Sequence, residues 1–300
     1  VLQAGTGEIR VRLKVTWKQC RRNIEIEGEG ISHKSIACPN CSGQLEIPSN
    51  VLDVDQELGG FRVEKHLGSG SMGCVYLATQ VSMDRKVALK VLPPEMTKDQ
   101  QDLDNFLHEV RMLAKLDHPN IVAAFEAGED DGNYFMAMTY VDGETLEDYI
   151  EREGPMDEYD ALQICRKIAG ALQYAWEKHQ ILHRDIKPAN IIVDSAMEPR
   201  LLDMGISKVH SDEESPGQSS GFLLGTPHYM APEQAKAGEA AVFQSDMYAL
   251  GCTVYNLATG QVPYDGETVL DVLTKHALDP FPSPKKLVPG LSDGFVELLR

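Results

Sequence analysis

The chain has 300 residues, 42% of them hydrophobic, enough to bury more than one core, which excludes a disordered or fibrous protein. Its 28 Lys and Arg against 46 Asp and Glu leave a net charge of -18, which argues against nucleic acid as a partner. No apolar run reaches the ~18 residues a membrane span needs, and the opening Val1-Leu2-Gln3-Ala4 lacks the basic and apolar regions of a signal peptide, so a chain without a membrane segment is expected.

Charge and cysteine are unevenly placed. Residues 1–50 carry seven Lys and Arg and five Asp and Glu, leaving 21 against 41 for the rest, which marks a composition boundary near residue 50. Six cysteines are too few and too scattered for a disulfide framework, so a reducing, cytoplasmic setting is expected, either for this chain or for the cytoplasmic part of a longer, membrane-anchored protein.

Within the first fifty residues a short unit recurs. Trp17-Lys18-Gln19-Cys20 with Ile24-Glu25-Ile26 matches Cys38-Pro39-Asn40-Cys41 with Leu45-Glu46-Ile47 at an offset of 21 residues. Each copy reads as a cysteine-bearing turn followed by an alternating strand, and the segment resembles a zinc ribbon, which builds two knuckles from such turns. Trp17 stands where the first knuckle's leading cysteine belongs, so three thiols remain, Cys20, Cys38 and Cys41, with His33 as the candidate fourth Zn²⁺ ligand. The alternative is a metal-free core packed around Trp17 with the cysteines as small buried hydrophobes. Either way residues 1–50 are expected to interact with a regulatory protein partner, and residues 51–60, ending in Gly59-Gly60, are read as a linker.

From Phe61 the pattern alternates as a strand to Leu67, then Gly68-Ser69-Gly70-Ser71-Met72-Gly73 precedes the β-branched and aromatic run Cys74-Val75-Tyr76. Glycines at this spacing let backbone N–H groups approach phosphate oxygens. A strand after the last glycine, where a dinucleotide-binding fold needs a helix, points to a glycine-rich hairpin. The run Val87-Ala88-Leu89-Lys90 gives a further strand. A buried lysine needs an anion, and an amphipathic helix from Asp102 to Leu116 offers Glu109.

His183-Arg184-Asp185-Ile186-Lys187-Pro188-Ala189-Asn190 fixes five polar identities in eight residues, and Leu201-Leu202-Asp203-Met204-Gly205 and Ala231-Pro232-Glu233 follow in order. These segments resemble the protein kinase family, and Gly225 to Gln234 is closest to its bacterial Ser/Thr members. The resemblance implies an α+β bilobal kinase fold: a five-stranded antiparallel N-lobe plus one helix over 61–138, a hinge over 139–143 and a mostly helical, incomplete C-lobe over 144–300, behind a small β-rich zinc-ribbon-like module. It also implies ATP and Mg²⁺, with Mn²⁺ as a substitute, and protein substrates phosphorylated on Ser or Thr.

By the same resemblance Asp185 accepts the proton of the attacking hydroxyl, Lys187 neutralises the transferred phosphate, Lys90 pairs with Glu109, and Asn190 and Asp203 hold Mg²⁺. Gly68, Gly70 and Gly73 cover the phosphates. Leu67, Val75, Ala88 and Ile192 wall the adenine, Met138 is the gatekeeper, and backbone groups of Thr139 and Val141 bond the base. Met204 replaces the usual phenylalanine with a similar but more flexible apolar group.

The 31 residues from Asp203 to Glu233 form a polar, serine-rich activation segment in which autophosphorylation is expected, with Arg184 as the phosphate's partner. Thr226 is read as structural, bonding Asp185 and Lys187, and Asp246 as a brace for the loop before Asp185. Arg300 falls inside the expected penultimate helix, so the arginine that pairs with Glu233 in the family would lie beyond it, as in a fragment. The competing reading is an ATP-binding scaffold with little transfer activity.

Overall fold

A computed structural model describes residues 2–4, 11–17, 22–28, 35–37 and 44–46 as backbone strands, and residues 52–70, 73–92, 100–202, 226–235 and 241–300 in fuller detail. The candidate zinc ligands Cys20, His33, Cys38 and Cys41, the metal-binding candidate Asp203 and the activation segment up to Gly225 lie outside the described residues. The chain divides into two compact units, Val1–Val110 with Ala123–Tyr140, and Arg111–Val122 with Val141–Arg300.

The first unit begins with β1 (Leu2–Ala4), β2 (Val11–Trp17) and β3 (Arg22–Gly28), where β3 pairs antiparallel with β2 and parallel with β1. β4 (Ser35–Ala37) and β5 (Gln44–Glu46) form a separate antiparallel pair. The strand segments expected at Ile24 to Ile26 and around Leu45 fall within β3 and β5.

The main sheet is built from β6 (Glu57–Leu58), β7 (Phe61–Gly70), β8 (Gly73–Gln80), β9 (Arg85–Val91), β10 (Ala124–Asp130) and β11 (Asn133–Thr139), in the order β10-β11-β9-β8-β7-β6. The expected five-stranded sheet therefore has a sixth, two-residue edge strand. Its cause is local: Gly59 and Gly60 take φ of 57° and 84°, closing a tight turn that brings Leu58 opposite Phe61. The segment read as a linker is packed, with Leu52 5% and Leu58 2% exposed, and the Gly59 N–H donates to Asp130 Oδ2 at 2.6 Å.

Strand periodicity sorts the sheet's side chains. Phe61, Val63, Cys74, Tyr76, Leu89 and Phe135 belong to one buried apolar cluster on one face. The opposite face carries Val75, Ala88 and Lys90. α1 (Gln100–Leu113) follows β9, starting two residues before the expected Asp102 and ending three before Leu116, and it buries Leu103, Phe106 and Leu113.

In the second unit α2 (Leu146–Glu153) is capped by Thr145, whose hydroxyl accepts from the Asp148 N–H, and α3 (Glu158–His179) by Asp157, whose carboxylate accepts from Tyr159 and Asp160. α3 buries Ile164, Ile168, Leu172 and Ala175, the stripe expected from the sequence. β12 (Gly143–Thr145), β13 (Ile191–Asp194) and β14 (Pro199–Leu201) form a small antiparallel sheet. Gly143 is demanded by close packing there, since a Cβ would sit 2.0 Å from the Val193 carbonyl oxygen. The buried helix α4 (Phe243–Thr259) is followed by α5 (Val269–Leu278) and α6 (Asp293–Leu298). No helix among the described residues is long and apolar enough to cross a membrane.

Burial lowers the imidazole pKa of His66 and of His276 to about 4, below the ordinary value of about 6.5 that the unfolded chain keeps. Both rings are neutral in either state above that value. As pH falls from about 6.5 towards 4 the unfolded chain takes up protons that the folded one refuses, so stability must decline across that window. Melting temperatures measured from pH 7 to 5 should fall, and His276→Gln should flatten the fall.

Candidate active site

The structure gathers the predicted residues into two sets, one within each unit. In the first, register does the positioning. Val75 is paired with Lys90 and Leu77 with Ala88 between β8 and β9, while Lys90 is paired with Met136 and Ala88 with Met138 between β9 and β11. Directly paired residues share a face, so Val75, Lys90, Ala88 and Met138 lie together. Lys90 is 4% exposed, a depth at which an ammonium requires anionic company. The side chain of Glu109, and with it the expected pairing with Lys90, lies outside the described residues; its backbone lies within α1.

The glycines of the hairpin differ in what they are for. Gly73 has φ 116°, and a Cβ there would meet the Val91 carbonyl oxygen at 2.0 Å, so the fold itself excludes a side chain. Around Gly68, which is paired with Val75, a Cβ would meet nothing within 4 Å among the described residues. Among the described residues no packing contact calls for a glycine there. Gly70 ends β7 opposite Gly73. At the end of β11 the Thr139 N–H donates to the Ala123 carbonyl at 2.9 Å.

In the second unit the segment from His183 to Asn190 is held from below by α4. The Asp246 carboxylate accepts the His183 N–H at Oδ2 and the Arg184 N–H at Oδ1, both at 2.7 Å. Burial pushes the Asp246 carboxyl up, opposed by His183 and Arg184 and by these two donors. Arg184 has φ 65°, a left-handed conformation costly for a side-chain-bearing residue, and the hydrogen bond its N–H donates to Asp246 helps hold it there. The His183 ring bridges the next turn: Nδ1 accepts from the Asp185 N–H at 3.3 Å, so the proton resides on Nε2, which donates to the Leu202 carbonyl at 2.9 Å.

Asp185 thereby faces a small polar constellation. Lys187 Nζ lies 3.0 Å from Asp185 Oδ2 and donates to Thr226 Oγ1 at 2.8 Å. Asn190 Nδ2 donates to the Asp185 carbonyl at 2.7 Å and to Asp185 Oδ2 at 3.0 Å. The Leu202 N–H donates to the Asn190 carbonyl at 2.9 Å. A small recess beside the loop, too tight for more than about one water, is lined by Arg184, Asp185, Thr226, Tyr229, Gln234 and Asp246, among others.

Asp246 braces the loop backbone as expected, and Thr226 meets Lys187, one of the two partners expected of it. Glu233 accepts from Ser245 Oγ at 2.6 Å, a partner not expected from the sequence. Val141 is buried and Ile192 partly so, the latter paired with Arg200 and Thr145 in the small sheet. Sequence reasoning missed the bridging role of the His183 ring, although the residue stands in the motif, and Tyr229, whose hydroxyl donates to Asn256 Oδ1 at 3.1 Å. It also missed Glu147 on α2, whose carboxyl burial pushes up and the Lys187 ammonium pulls down. No sequence signal ties α2 to the catalytic segment.

A family model described as protein kinase domain matches residues 61–287. The chain is 38% identical over 233 residues to the serine/threonine-protein kinase PrkC of Bacillus subtilis, covering 78% of this chain and 35% of that protein. It is 36% identical over 249 residues to the serine/threonine-protein kinase pkn3 of Myxococcus xanthus, covering 79% and 45%, and 36% identical over 231 residues to the serine/threonine-protein kinase PknB of Mycobacterium leprae, covering 75% and 36%. The chain thus spans less than half the length of these curated relatives.

Replacing Asp246 by Asn presents an amide NH₂ to one of two buried N–H donors. That leaves a donor unsatisfied, at a cost of roughly 1–3 kcal/mol. Asp246→Asn should lower the melting temperature accordingly and raise proteolytic sensitivity around Arg184, as a thermal melt and limited proteolysis would read.

Proposed function

The chain belongs to the protein kinase family, and on that premise we propose that it transfers the γ-phosphoryl group of ATP to serine and threonine hydroxyls of proteins. The observation that carries this reading is the convergence of Lys187 and Asn190 on the Asp185 carboxylate, each within 3.0 Å. Phosphoryl transfer asks for a carboxylate to orient the hydroxyl and accept its proton, and for cations where phosphate charge develops. Asp185 takes the first role. Lys187, held by Thr226, stabilises the transferred phosphate, the bond to the β-phosphate oxygen breaks and ADP leaves.

Asn190 donates to Asp185 through its Nδ2, which leaves its Oδ1 as the hard oxygen ligand for Mg²⁺; Asp203 is the second proposed ligand. A bound Mg²⁺ would neutralise charge on the phosphates. Lys90 anchors phosphate oxygens and is itself held by Glu109. Gly68, Gly70 and Gly73 cover the phosphates, and Val75, Ala88, Met138 and Ile192 line the adenine site. The Thr139 N–H is already committed to Ala123, so the carbonyl of Thr139 and the N–H of Val141 serve the base. Autophosphorylation in the activation segment, with Arg184 as the phosphate's partner, belongs to the same reading.

For residues 1–50 the reading is a zinc-ribbon-like module that binds a regulatory partner, with Cys20, His33, Cys38 and Cys41 as candidate ligands and metal-free packing around Trp17 as the alternative. Metal analysis of the purified chain decides between them: about one zinc per chain, lost in Cys38→Ser, supports the ribbon, and no zinc supports the alternative.

Incubation with labelled ATP, Mg²⁺ and a basic acceptor protein should place label on serine or threonine. Asp185→Asn should reduce the rate by at least about a hundredfold, the scale of a lost general base, while ATP binding persists. A parent that binds ATP and transfers nothing would instead indicate a nucleotide-binding scaffold.

A further inference from the structure

Strand β14 runs up to the catalytic segment, yet it is only three residues long and begins with Pro199, which has no N–H to offer a ladder. It pairs with β13 on one side, and on the other it is held by side chains. Asn120, 6% exposed, donates from Nδ2 to the Pro199 carbonyl at 2.7 Å and to Glu198 Oε1 at 2.8 Å, while its own carbonyl accepts the Leu201 N–H at 2.9 Å. Both partners of Nδ2 are acceptors, so the orientation of the amide follows from its contacts. The Val122 N–H adds a bond to the Leu201 carbonyl at 3.0 Å.

Glu198 joins this arrangement to helix α3. Its Oε2 accepts from Lys167 Nζ, so each carboxylate oxygen is held from a different part of the chain. The carboxyl sits below its ordinary pKa because of Lys167 and, next, Asn120. With the Glu198 side chain 33% exposed the ion pair by itself contributes little stability, so its use lies in geometry: it fixes where the chain enters β14. Leu202 carries that placement into the site. Its N–H donates to the Asn190 carbonyl at 2.9 Å, and its carbonyl lies 2.9 Å from His183 Nε2. One residue thus touches both ends of the segment that presents Asp185, and Asn190 in turn bonds the Asp185 carboxylate at 3.0 Å.

We propose that Glu198, held by Lys167 and Asn120, is a positioning residue for the transfer reaction: it sets β14 in place and, through Leu202, keeps His183 and Asn190 where Asp185 needs them. The inference rests on the kinase reading for its reaction, but the mechanical coupling it describes belongs to the unliganded chain. Loosening Glu198 should therefore free residues 199–202 and 183–190 together and leave α4, which braces the same segment through Asp246, as firm as before.

The test compares the full chain with Glu198→Gln, Lys167→Met and Lys167→Arg by hydrogen exchange without ligand, by melting temperature and by transfer kinetics. Glu198→Gln keeps the shape and removes the charge, and Lys167→Arg keeps the charge and a donor. Glu198→Gln and Lys167→Met should speed exchange in 199–202 and 183–190 by about tenfold, the scale of one hydrogen bond to a charged group, with exchange in α4 unchanged. In the same two variants kcat should fall by about three- to tenfold while KM for MgATP stays within about twofold, and Lys167→Arg should match the parent throughout. Faster exchange spread evenly over α4 as well, with a lowered melting temperature, would show a merely structural role and overturn the inference, as would a loss of kcat with no local change in exchange. A parent that transfers phosphate while the variants exchange and turn over as it does sinks the inference and leaves the kinase reading standing. A parent that transfers nothing while the local exchange differences appear sinks the kinase reading and leaves the coupling from Glu198 to the segment.

Discussion

Asp246 is a carboxylate 3% exposed inside a helical unit, and the segment that carries Asp185 is suspended from it. A buried carboxylate is tolerated only when it is hydrogen-bonded, and each of its two oxygens accepts a backbone N–H at 2.7 Å. Those two donors belong to adjacent residues, which requires the chain to turn sharply, and the positive φ of Arg184 is that turn. Everything downstream inherits the constraint. The His183 ring is directed to the Asp185 amide on one side and the Leu202 carbonyl on the other, and Asp185 is presented to Lys187 and Asn190.

The β-rich unit is governed by a different constraint, the two-residue period of a strand. One slip of register between β8 and β9 would move Lys90 and Ala88 to the apolar face and expose Leu89 and Val91 to the other. The apolar cluster on the far face therefore fixes the face that carries Lys90, and Gly73 permits the close approach of β8 to β9 at the hairpin's end. Packing on one side of the sheet sets the geometry of the polar groups on the other.

Much of this was legible residue by residue. Helix α3 could be read from the spacing of Ile164, Ile168 and Leu172, because a helix's buried stripe is a local property of the chain, and Asp157 caps it where the pattern begins. Strand β6 was not legible: two residues carry no periodicity, and only the turn at Gly59-Gly60 and the burial of Leu58 against the sheet make them a strand. The link from Leu52 to Tyr76 spans 24 residues, and neither residue has a local reason to meet the other. The placement of α2, which sets Glu147 near Lys187, is likewise a matter of packing.

By itself the sequence determined which chemical groups are present and in what order: the glycines, Lys90, Asp185, Lys187 and Asn190, each recognisable because close spacing along the chain is already a constraint on geometry. Tertiary structure decided which of them meet and in what state. Thr226 reaches Lys187 across 39 residues, and Asp246 reaches His183 across 63. Such contacts depend on where helices and strands stop and how they pack, which no local pattern specifies. Burial, the other decision of the tertiary structure, turned Asp246 from one acidic residue among 46 into the brace of the site, because a carboxylate removed from water must take its hydrogen bonds from the chain.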